Sequence, residues 1–184
     1  ESHGDFINTL ELEKNLIFPA VYRKLFLKMA SYTINKADIL RAVSSSTEEQ
    51  ALSFDPSKRV VRFPAWVDFE IFSKVQASRS DEKDFKILFI GSVTDRKKPH
   101  LIVEAINKIK NKDIKLYVVG PTPNENYLSQ LKELVHNYDL EDQVLFTGSV
   151  DRKSVMDHYA DTNLMILPSV SEGLARVIFE SQAT

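Results

Sequence analysis

The chain has 184 residues, of which 43% are hydrophobic, and a formal net charge of −2. These values are typical of an ordinary globular protein of one or two domains and do not indicate nucleic-acid binding. The chain contains no cysteine, which excludes disulfides, thiolate metal sites and cysteine nucleophiles and is compatible with a reducing compartment. No run approaches the ~18 uninterrupted apolar residues of a membrane span.

The first part of the chain predicts helices alternating with strands. Pro19 to Lys36 has a helical pattern with a basic outer face formed by Arg23, Lys24 and Lys28. We expect its inward residues to be Val21, Leu25, Phe26, Met29 and Ala30. A strand around Ile39 to Val43, a helix beginning in Ser44 to Thr47 and a strand Val60 to Phe63 follow. The polar run Ser73 to Asp84 then predicts an interdomain linker.

The second part predicts a repeating βα unit. Three of the five glycines, Gly91, Gly120 and Gly148, each end an apolar strand-like run, at intervals of 29 and 28 residues. Between them lie two amphipathic helical patterns, with inward faces of Leu101, Ile102, Ala105, Ile106 and Ile109 in the first and Leu128, Leu131, Val135 and Tyr138 in the second.

A fourth unit consists of a strand from Leu164 to Leu167 and the helix after it. Right-handed crossovers between the four strands predict a Rossmann-like half-sheet whose strand ends all face the same side. The dinucleotide fingerprint G-x-G-x-x-G is absent, so a nicotinamide or flavin domain is not supported.

Two carboxylates, Glu172 and Glu180, follow the fourth strand with seven residues between them. We expect Glu172 at the beginning of a helix, outside the carboxyl ends of the strands, where α/β sheets bind ligands and free N–H groups favour anions. If both residues are helical, they lie ~12 Å apart along the axis and would hold different parts of one long ligand. Alternatively, Ser169 and Glu172 form a capping box, and Glu180 is an ordinary exposed helix residue.

Basic residues also gather after the predicted strands. Arg96, Lys97 and Lys98 follow the first, Arg152 and Lys153 the third, and Arg176 the fourth. Each cluster alone could be a solvated loop, and Arg152 and Lys153 could equally begin a surface helix. Together, at one edge of the sheet, they favour an anionic ligand such as a phosphate.

With these segments in view, the chain resembles the retaining GT-B glycosyltransferases of family 4, the group 1 glycosyltransferases. The resemblance is carried by ILFIGSVTDRKKPHLIVEAI, LYVVGPTP and DQVLFTGSVDRKSVMDHYADTNLMILPSVSEGLARVIFESQAT, and upstream by ADILRAVSSSTEEQ and KRVVRFPAWVDFEIF. It implies an α/β fold of GT-B type with Rossmann-like βα repeats. Residues 1–80 would be the C-terminal part of the acceptor-side domain and the linker, and residues 81–184 most of the nucleotide-sugar-binding domain.

The resemblance also implies roles for single residues. Glu180 would hold the ribose hydroxyls of the donor, and Glu172 would lie beside the donor sugar and orient it. Lys97 would meet the donor phosphates, and the amides of Gly173, Leu174 and Ala175 would face the sugar and pyrophosphate. The donor-binding set further includes Gly91, Ser92, Arg96, Phe146, Thr147 and Gly148, with His3 as a candidate contact to the donor sugar.

Two positions depart from the family pattern. Ser92 stands where an arginine is usual, which removes one phosphate contact that Arg96 could replace, and Ala65-Trp66 stands where an Asn-Gly turn is usual. The family's domains also extend beyond both ends of this sequence. The resemblance therefore leads us to expect a piece of a longer enzyme that binds a nucleotide-sugar but transfers weakly or not at all by itself.

The implied reaction transfers a sugar from a UDP- or GDP-sugar to a glycan, lipid or other acceptor, with retention of configuration and with neither cofactor nor metal. The implied location is the cytoplasm or the cytosolic face of a membrane. The basic amphipathic helix Pro19 to Lys36 could contact an anionic membrane peripherally. Alternatively, it packs on its own domain and its basic face is solvated. Two alternatives remain open from the residues. One is a non-catalytic nucleotide-sugar-binding fragment, and the other is a sugar-nucleotide epimerase of the same fold.

Overall fold

The computed structural model describes residues 18–64, 66–75, 84–170 and 172–184. By its contacts the chain divides into two units. The first ends at Trp66 and also includes Ser171–Ala175, and the second comprises Val67–Val170 and Arg176–Thr184. Residues 76–83, which make up most of the predicted linker and include the predicted boundary between residues 80 and 81, lie outside the described residues. The sequence-based boundary therefore stays a prediction.

The first unit contains the helices and strands that the sequence predicts. They are α1 (Pro19–Lys36), β1 (Leu40–Ala42), α2 (Ser45–Phe54) and β2 (Val60–Arg62). The two strands pair in parallel. A capping box begins α2, because Ser44 Oγ accepts from Thr47 N (3.3 Å) while Thr47 Oγ1 accepts from Ser44 N (3.0 Å). The serine-rich helix start is confirmed.

The predicted inward face of α1 is wrong for three of its five residues. Val21, Leu25 and Met29 are 58, 57 and 69% exposed, whereas Ile34 is buried. The reason is that α1 carries apolar residues around most of its circumference. The periodicity of the sequence therefore does not decide which side of the helix packs inward.

The second unit is built from four βα repeats preceded by a short helix. Its elements are α3 (Phe69–Phe72), β3 (Phe85–Ile90), α4 (His100–Ile109), β4 (Ile114–Val119), α5 (Glu125–Asn137), β5 (Val144–Gly148), α6 (Arg152–Ala160), β6 (Leu164–Met165) and α7 (Arg176–Gln182). All strand pairs in this sheet are parallel, and the order is β5-β4-β3-β6. The parallel sheet predicted from the glycine spacing is confirmed.

Both faces of this sheet are covered. On one face, Ile87 and Phe89 of β3 pack with residues of α4 and α5. On the other, Leu88 and Ile90 pack with residues of α3, α6 and α7. A strand buried on both faces must be apolar at nearly every position, which explains the continuous run in β3.

The predicted inward faces of the two crossover helices, α4 and α5, are confirmed to different degrees. In α5, Leu131 and Val135 are buried and Leu128 and Tyr138 are half-buried, as expected. In α4, Ile102 and Ile106 are buried, but Val103 completes the buried stripe. The predicted inward residues Leu101, Ala105 and Ile109 are exposed. The apolar arc of α4 is wider than the surface that packs on the sheet.

The last strand is shorter than predicted. The sequence predicts Leu164 to Leu167, whereas β6 comprises only Leu164–Met165. One further bond follows it, from Ile166 N to Leu88 O (2.9 Å). The next donor on that side would be residue 168, and Pro168 has no N–H, so the ladder ends there.

Candidate functional site

The carboxyl edge of the second unit's sheet is lined by glycine backbone. Gly91 N donates to Val119 O (2.9 Å) and Gly120 N donates to Gly148 O (2.8 Å), so the three predicted strand ends lie side by side. A Cβ on Gly120 would lie 2.2 Å from Gly91 O, which leaves no room for any side chain there. Gly120 is therefore required by the close approach of two strand ends, whereas a Cβ on Gly148 would meet nothing within 4 Å.

A β-bulge distorts β5 at the same edge. Val118 pairs with Phe146 and Val119 with Gly148, which leaves Thr147 as the extra residue. Thr147 Oγ1 lies 3.1 Å from Gly148 O, and Gly148 adopts φ +70°. The side chain of Phe146 is half-buried against the main core. Bulges of this kind redirect a strand end and are frequent beside binding sites.

The loop after β3 carries the predicted phosphate-binding residues. A Cβ on Gly91 would lie 3.9 Å from Lys97 Cε, so the lysine side chain runs next to the end of the strand. Arg96 O accepts a hydrogen bond from Val170 N (3.1 Å), which ties this loop to the segment after β6. Lys97, Arg96 and Ser92 are all half-exposed. An ammonium group at this edge is suited to a phosphate ligand.

The carboxylate of Glu180, in α7, is held by two partners within the second unit. Its side chain is 12% exposed. The hydroxyl of Tyr159, in α6, donates to Oε2 at 3.1 Å, and Arg176 NH2 lies 3.8 Å from Oε1. Burial, and secondarily the Glu180 charge, raises the pKa of Tyr159, so this hydroxyl keeps its proton. The alternative that Glu180 is an ordinary exposed helix residue is therefore wrong.

The predicted helix start at Glu172 is wrong. Helix α7 begins at Arg176, and Glu172 precedes it by four residues. The capping-box alternative is also wrong, because Ser169 Oγ is buried and has no hydrogen-bond partner among the described residues. Gly173 follows Glu172 directly, and glycine in a helix interior costs about 1 kcal/mol relative to alanine. The 12 Å estimate assumed helix at both ends and does not apply.

Glu172, Gly173, Leu174 and Ala175 belong to the stretch that contacts assign to the first unit. Gly173 is buried and the other three residues are half-buried. Their suggested contacts with a donor stay predictions. His3 lies outside the described residues.

Two of the predicted basic residues have acidic partners. Arg152 NH2 lies 3.6 Å from Asp68 Oδ2, and the guanidinium carbon lies 5.9 Å from the centre of the Phe72 ring. Arg176 faces Glu180. Both side chains are exposed, at 59 and 60%, but each positive charge is paired with a carboxylate.

Tyr159, which contacts the candidate residue Glu180, is a residue that sequence reasoning missed. Tyr159 follows Val155 by four residues, so both lie on one face of α6. This helical spacing could have predicted that Tyr159 is buried. Nothing in the local sequence joins it to Glu180, which lies 21 residues further on. Only the packing of α6 beside α7 brings the hydroxyl and the carboxylate together.

Two negative findings concern only the part of the chain that the structure describes. There, no three His, Asp or Glu side chains are grouped so that they could hold a metal ion. No helix in the same residues has the combined length and apolarity that crossing a bilayer requires.

In chemical terms, the second unit offers a carboxylate that can accept hydrogen bonds from hydroxyl groups and a lysine whose side chain runs beside Gly91 at the end of β3. Hydroxyl groups suit the first feature, and a phosphate suits the second.

Comparison with known proteins identifies the family to which the chain belongs. Residues 70–184 match the family model described as glycosyl transferases group 1, which is more than half of the chain. The match includes Lys97, Glu172, Glu180 and Tyr159.

Curated relatives have related descriptions. The chain is 26% identical over 168 residues to a D-inositol 3-phosphate glycosyltransferase of Kineococcus radiotolerans, covering 82% of this chain and 38% of the relative. It is 27% identical over 163 residues to a GDP-mannose-dependent alpha-(1-6)-phosphatidylinositol monomannoside mannosyltransferase of Mycobacterium tuberculosis, covering 79% and 42%. The chain thus spans about two fifths of the length of these relatives.

A solved structure shares the fold. HepE of Anabaena, crystallised with UDP and glucose, superposes with a TM-score of 0.74 at 18% identity, covering 87% of this chain and 46% of that one. The prediction of a GT-B fold with Rossmann-like repeats is confirmed.

Proposed function

The chain belongs to the group 1 glycosyl transferases, and we propose that the protein transfers a glycosyl group from a nucleotide-sugar to an acceptor in glycan biosynthesis. The donor is a UDP- or GDP-sugar, the acceptor is a sugar, glycan or lipid, and the anomeric configuration is retained as in family 4. The relatives include a D-inositol 3-phosphate glycosyltransferase and a GDP-mannose-dependent mannosyltransferase, and their names support this class of substrates.

The observation that carries the proposal is the Glu180 carboxylate. Its side chain is nearly buried, yet within the described residues Oε2 accepts one hydrogen bond, from Tyr159, and Oε1 has only the Arg176 guanidinium at 3.8 Å. An ionised carboxylate can accept about four hydrogen bonds, so it retains capacity for the two hydroxyls of a ribose. We assign Glu180 to the ribose of the donor.

Lys97 is assigned to the donor phosphates. A diphosphate at the carboxyl edge of the sheet would lie beside an ammonium group and the glycine backbone at Gly91. Positive charge at this point stabilises the nucleoside diphosphate as it departs, which is where negative charge develops in the transfer. Glu172, with the amides of Gly173, Leu174 and Ala175, is assigned to the transferred sugar.

Binding measurements test the lysine assignment. Lys97→Ala should weaken binding of UDP or GDP more than binding of uridine or guanosine, because only the diphosphates carry the charge that Lys97 meets. Lys108→Ala, at an exposed position of α4, is the matched control and should change neither affinity. Equal losses for diphosphate and nucleoside would show that Lys97 is a solvated surface charge.

We further propose that transfer needs no divalent metal, since lysine and backbone amides already supply positive charge to the leaving diphosphate. The whole protein should transfer sugar undiminished in excess EDTA. Loss of transfer on chelation, with recovery on adding Mg²⁺ or Mn²⁺, would overturn both this proposal and the leaving-group role of Lys97.

Product analysis separates the proposal from its alternatives. Incubation of the whole protein with a UDP- or GDP-sugar and a sugar acceptor should give a new glycoside with the anomeric configuration of the donor, as read by NMR. Conversion of the donor sugar to its epimer would identify an epimerase. Tight nucleotide binding with neither product would identify a non-catalytic binding module.

A separate proposal concerns α1, which we assign to peripheral contact with an anionic membrane. Its exposed stripe of Val21, Leu25, Met29 and Tyr32 lies beside Lys24 and Lys28, and α1 contains no acidic residue. Apolar side chains flanked by lysines suit a helix lying at an interface. The whole protein should sediment with vesicles containing anionic lipid and do so less after Leu25→Glu and Met29→Glu. No sedimentation of the wild type would dispose of this proposal.

A further inference from the structure

We infer that Tyr159 is a positioning residue for the donor site, which fixes the Glu180 carboxylate in the orientation that accepts the ribose hydroxyls. This inference rests on the proposed function, because it gives Glu180 its ribose role. The positioning group lies on α6 and the carboxylate on α7, so the site depends on how these two helices pack.

The first step is the hydrogen bond itself. Tyr159 is 5% exposed and its hydroxyl lies 3.1 Å from Glu180 Oε2. An ionised carboxylate has no proton to donate, so the tyrosine must be the donor. The same hydroxyl lies 3.3 Å from the carbonyl oxygen of Val177, which is a second acceptor for its single proton. The hydroxyl is therefore aimed at the first turn of α7 and at the carboxylate together.

The second step is that the tyrosine ring cannot easily move. Its edge meets the ring of Phe72 at a centroid distance of 5.8 Å and an interplanar angle of 81°. Phe72 is 4% exposed and belongs to the same core cluster. An aromatic pair in this geometry is favourable in its own right. The hydroxyl is thus delivered to Glu180 by a ring that packing already holds in place.

The third step concerns the other partner of the carboxylate. Arg176 is 60% exposed and lies 3.8 Å from Oε1, four residues before Glu180 on the same helix. At 3.8 Å this pair is longer than a hydrogen bond, so the exposed guanidinium constrains the orientation of the carboxylate weakly. The bond to Oε2 is therefore the main restraint on the carboxylate, and the remaining acceptor positions are left for a diol.

Tyr159→Phe tests the inference, because it removes the hydroxyl and keeps the ring against Phe72. The dissociation constant for UDP or GDP should rise about three- to tenfold, the range for one lost hydrogen bond. Affinity for the corresponding 2′,3′-dideoxynucleoside diphosphate should not change, because that ligand lacks the hydroxyls that Glu180 accepts.

Tyr117→Phe is the matched control. Tyr117 packs against the same cluster, and within the described residues no hydrogen bond of its hydroxyl is found. Its removal should leave both affinities unchanged. Equal losses for the ribose and dideoxy ligands in Tyr159→Phe would mean a structural role only and would overturn the inference.

Glu180→Ala separates this inference from the proposed function. If Glu180→Ala weakens UDP or GDP and Tyr159→Phe does not, the positioning role is overturned and the ribose contact stands. If Glu180→Ala has no effect, or if the wild type binds neither diphosphate, the ribose contact fails and the inference fails with it. In a Glu180→Ala background, Tyr159→Phe should have no further effect on affinity.

Discussion

The two units of this chain use the same building block, a short strand followed by a helix, but bury it very differently. In β3, all residues from Lys86 to Ile90 are buried, whereas in β2 only Val60 is even half-buried. The sheet of the second unit is covered on both faces by its own helices. Strand character alone therefore does not determine burial, which depends on the surfaces that the rest of the protein supplies.

Deleting side chains in the two strands should give the largest contrast. Leu88→Ala, at a fully buried position of β3, should lower the free energy of unfolding by about 2–5 kcal/mol through lost burial and a cavity. Val61→Ala in β2, where Val61 is 45% exposed, should cost under about 1 kcal/mol. Urea unfolding followed by circular dichroism measures both, and equal losses would contradict the contrast.

A smaller contrast is expected between two glycines of the sheet edge. Gly120→Ala should cost more than about 2 kcal/mol, because its Cβ would meet Gly91 O and its φ of +138° is unfavourable for alanine. Gly148→Ala has open space around it and should cost only about 1–2 kcal/mol for its left-handed φ of +70°. The same unfolding measurement applies. A Gly120→Ala variant as stable as the wild type would refute the close approach of Gly120 to Gly91 O.

The buried lysine of β3 should give a further, asymmetric contrast. Lys86 Nζ lies 2.8 Å from Asp161 Oδ2, with side chains 11 and 41% exposed. Asp161→Ala leaves an ammonium group buried without this partner and should cost about 1–2 kcal/mol, reduced from the fully buried case by the exposure of Asp161. Lys86→Met leaves a hydrated carboxylate and should cost less. Thermal unfolding that ranks the variants in the opposite order would contradict this reasoning.

The smallest effects concern two histidines of the second unit. A hydrogen bond to Glu141 raises the pKa of His136, whereas burial lowers the pKa of His158. Any stabilisation from the His136 pair is lost as pH rises through that raised pKa. The folded state is destabilised relative to the unfolded state as pH falls below 6.5, the ordinary pKa of histidine, because His158 resists protonation where it is buried. NMR titration should give midpoints on opposite sides of 6.5, and Glu141→Gln should lower only that of His136. Midpoints in the reverse order would contradict both causes.

The same difference between the units explains what the sequence could predict. The strands β3 and β4 end directly before Gly91 and Gly120, and β5 ends at Gly148, because a buried parallel strand has a continuous apolar run and a sharp end. The inward face of α1 and the first residue of α7 could not be predicted in this way. Both depend on which surface is available for packing, and Leu25 or Glu172 alone carries no such information.

The site shows the same limit. Spacing identified Glu180 and Lys97 as candidates, since chemistry-bearing residues cluster after the strands of an α/β sheet. It could not identify Tyr159, whose hydroxyl reaches Glu180 only because α6 and α7 share one face of the sheet. Contacts between helices distant in sequence are set by tertiary packing, which a local pattern does not contain.

The ribose contact of Glu180 is the central claim, and titration calorimetry of Glu180→Ala with UDP and GDP tests it most directly. The control is Glu133→Ala, at an exposed position of α5. The account predicts that Glu180→Ala weakens the better-bound diphosphate by about 1–3 kcal/mol, the range for a lost charge-assisted hydrogen bond, while the control binds like the wild type. Wild-type affinity in the Glu180→Ala variant would contradict the account.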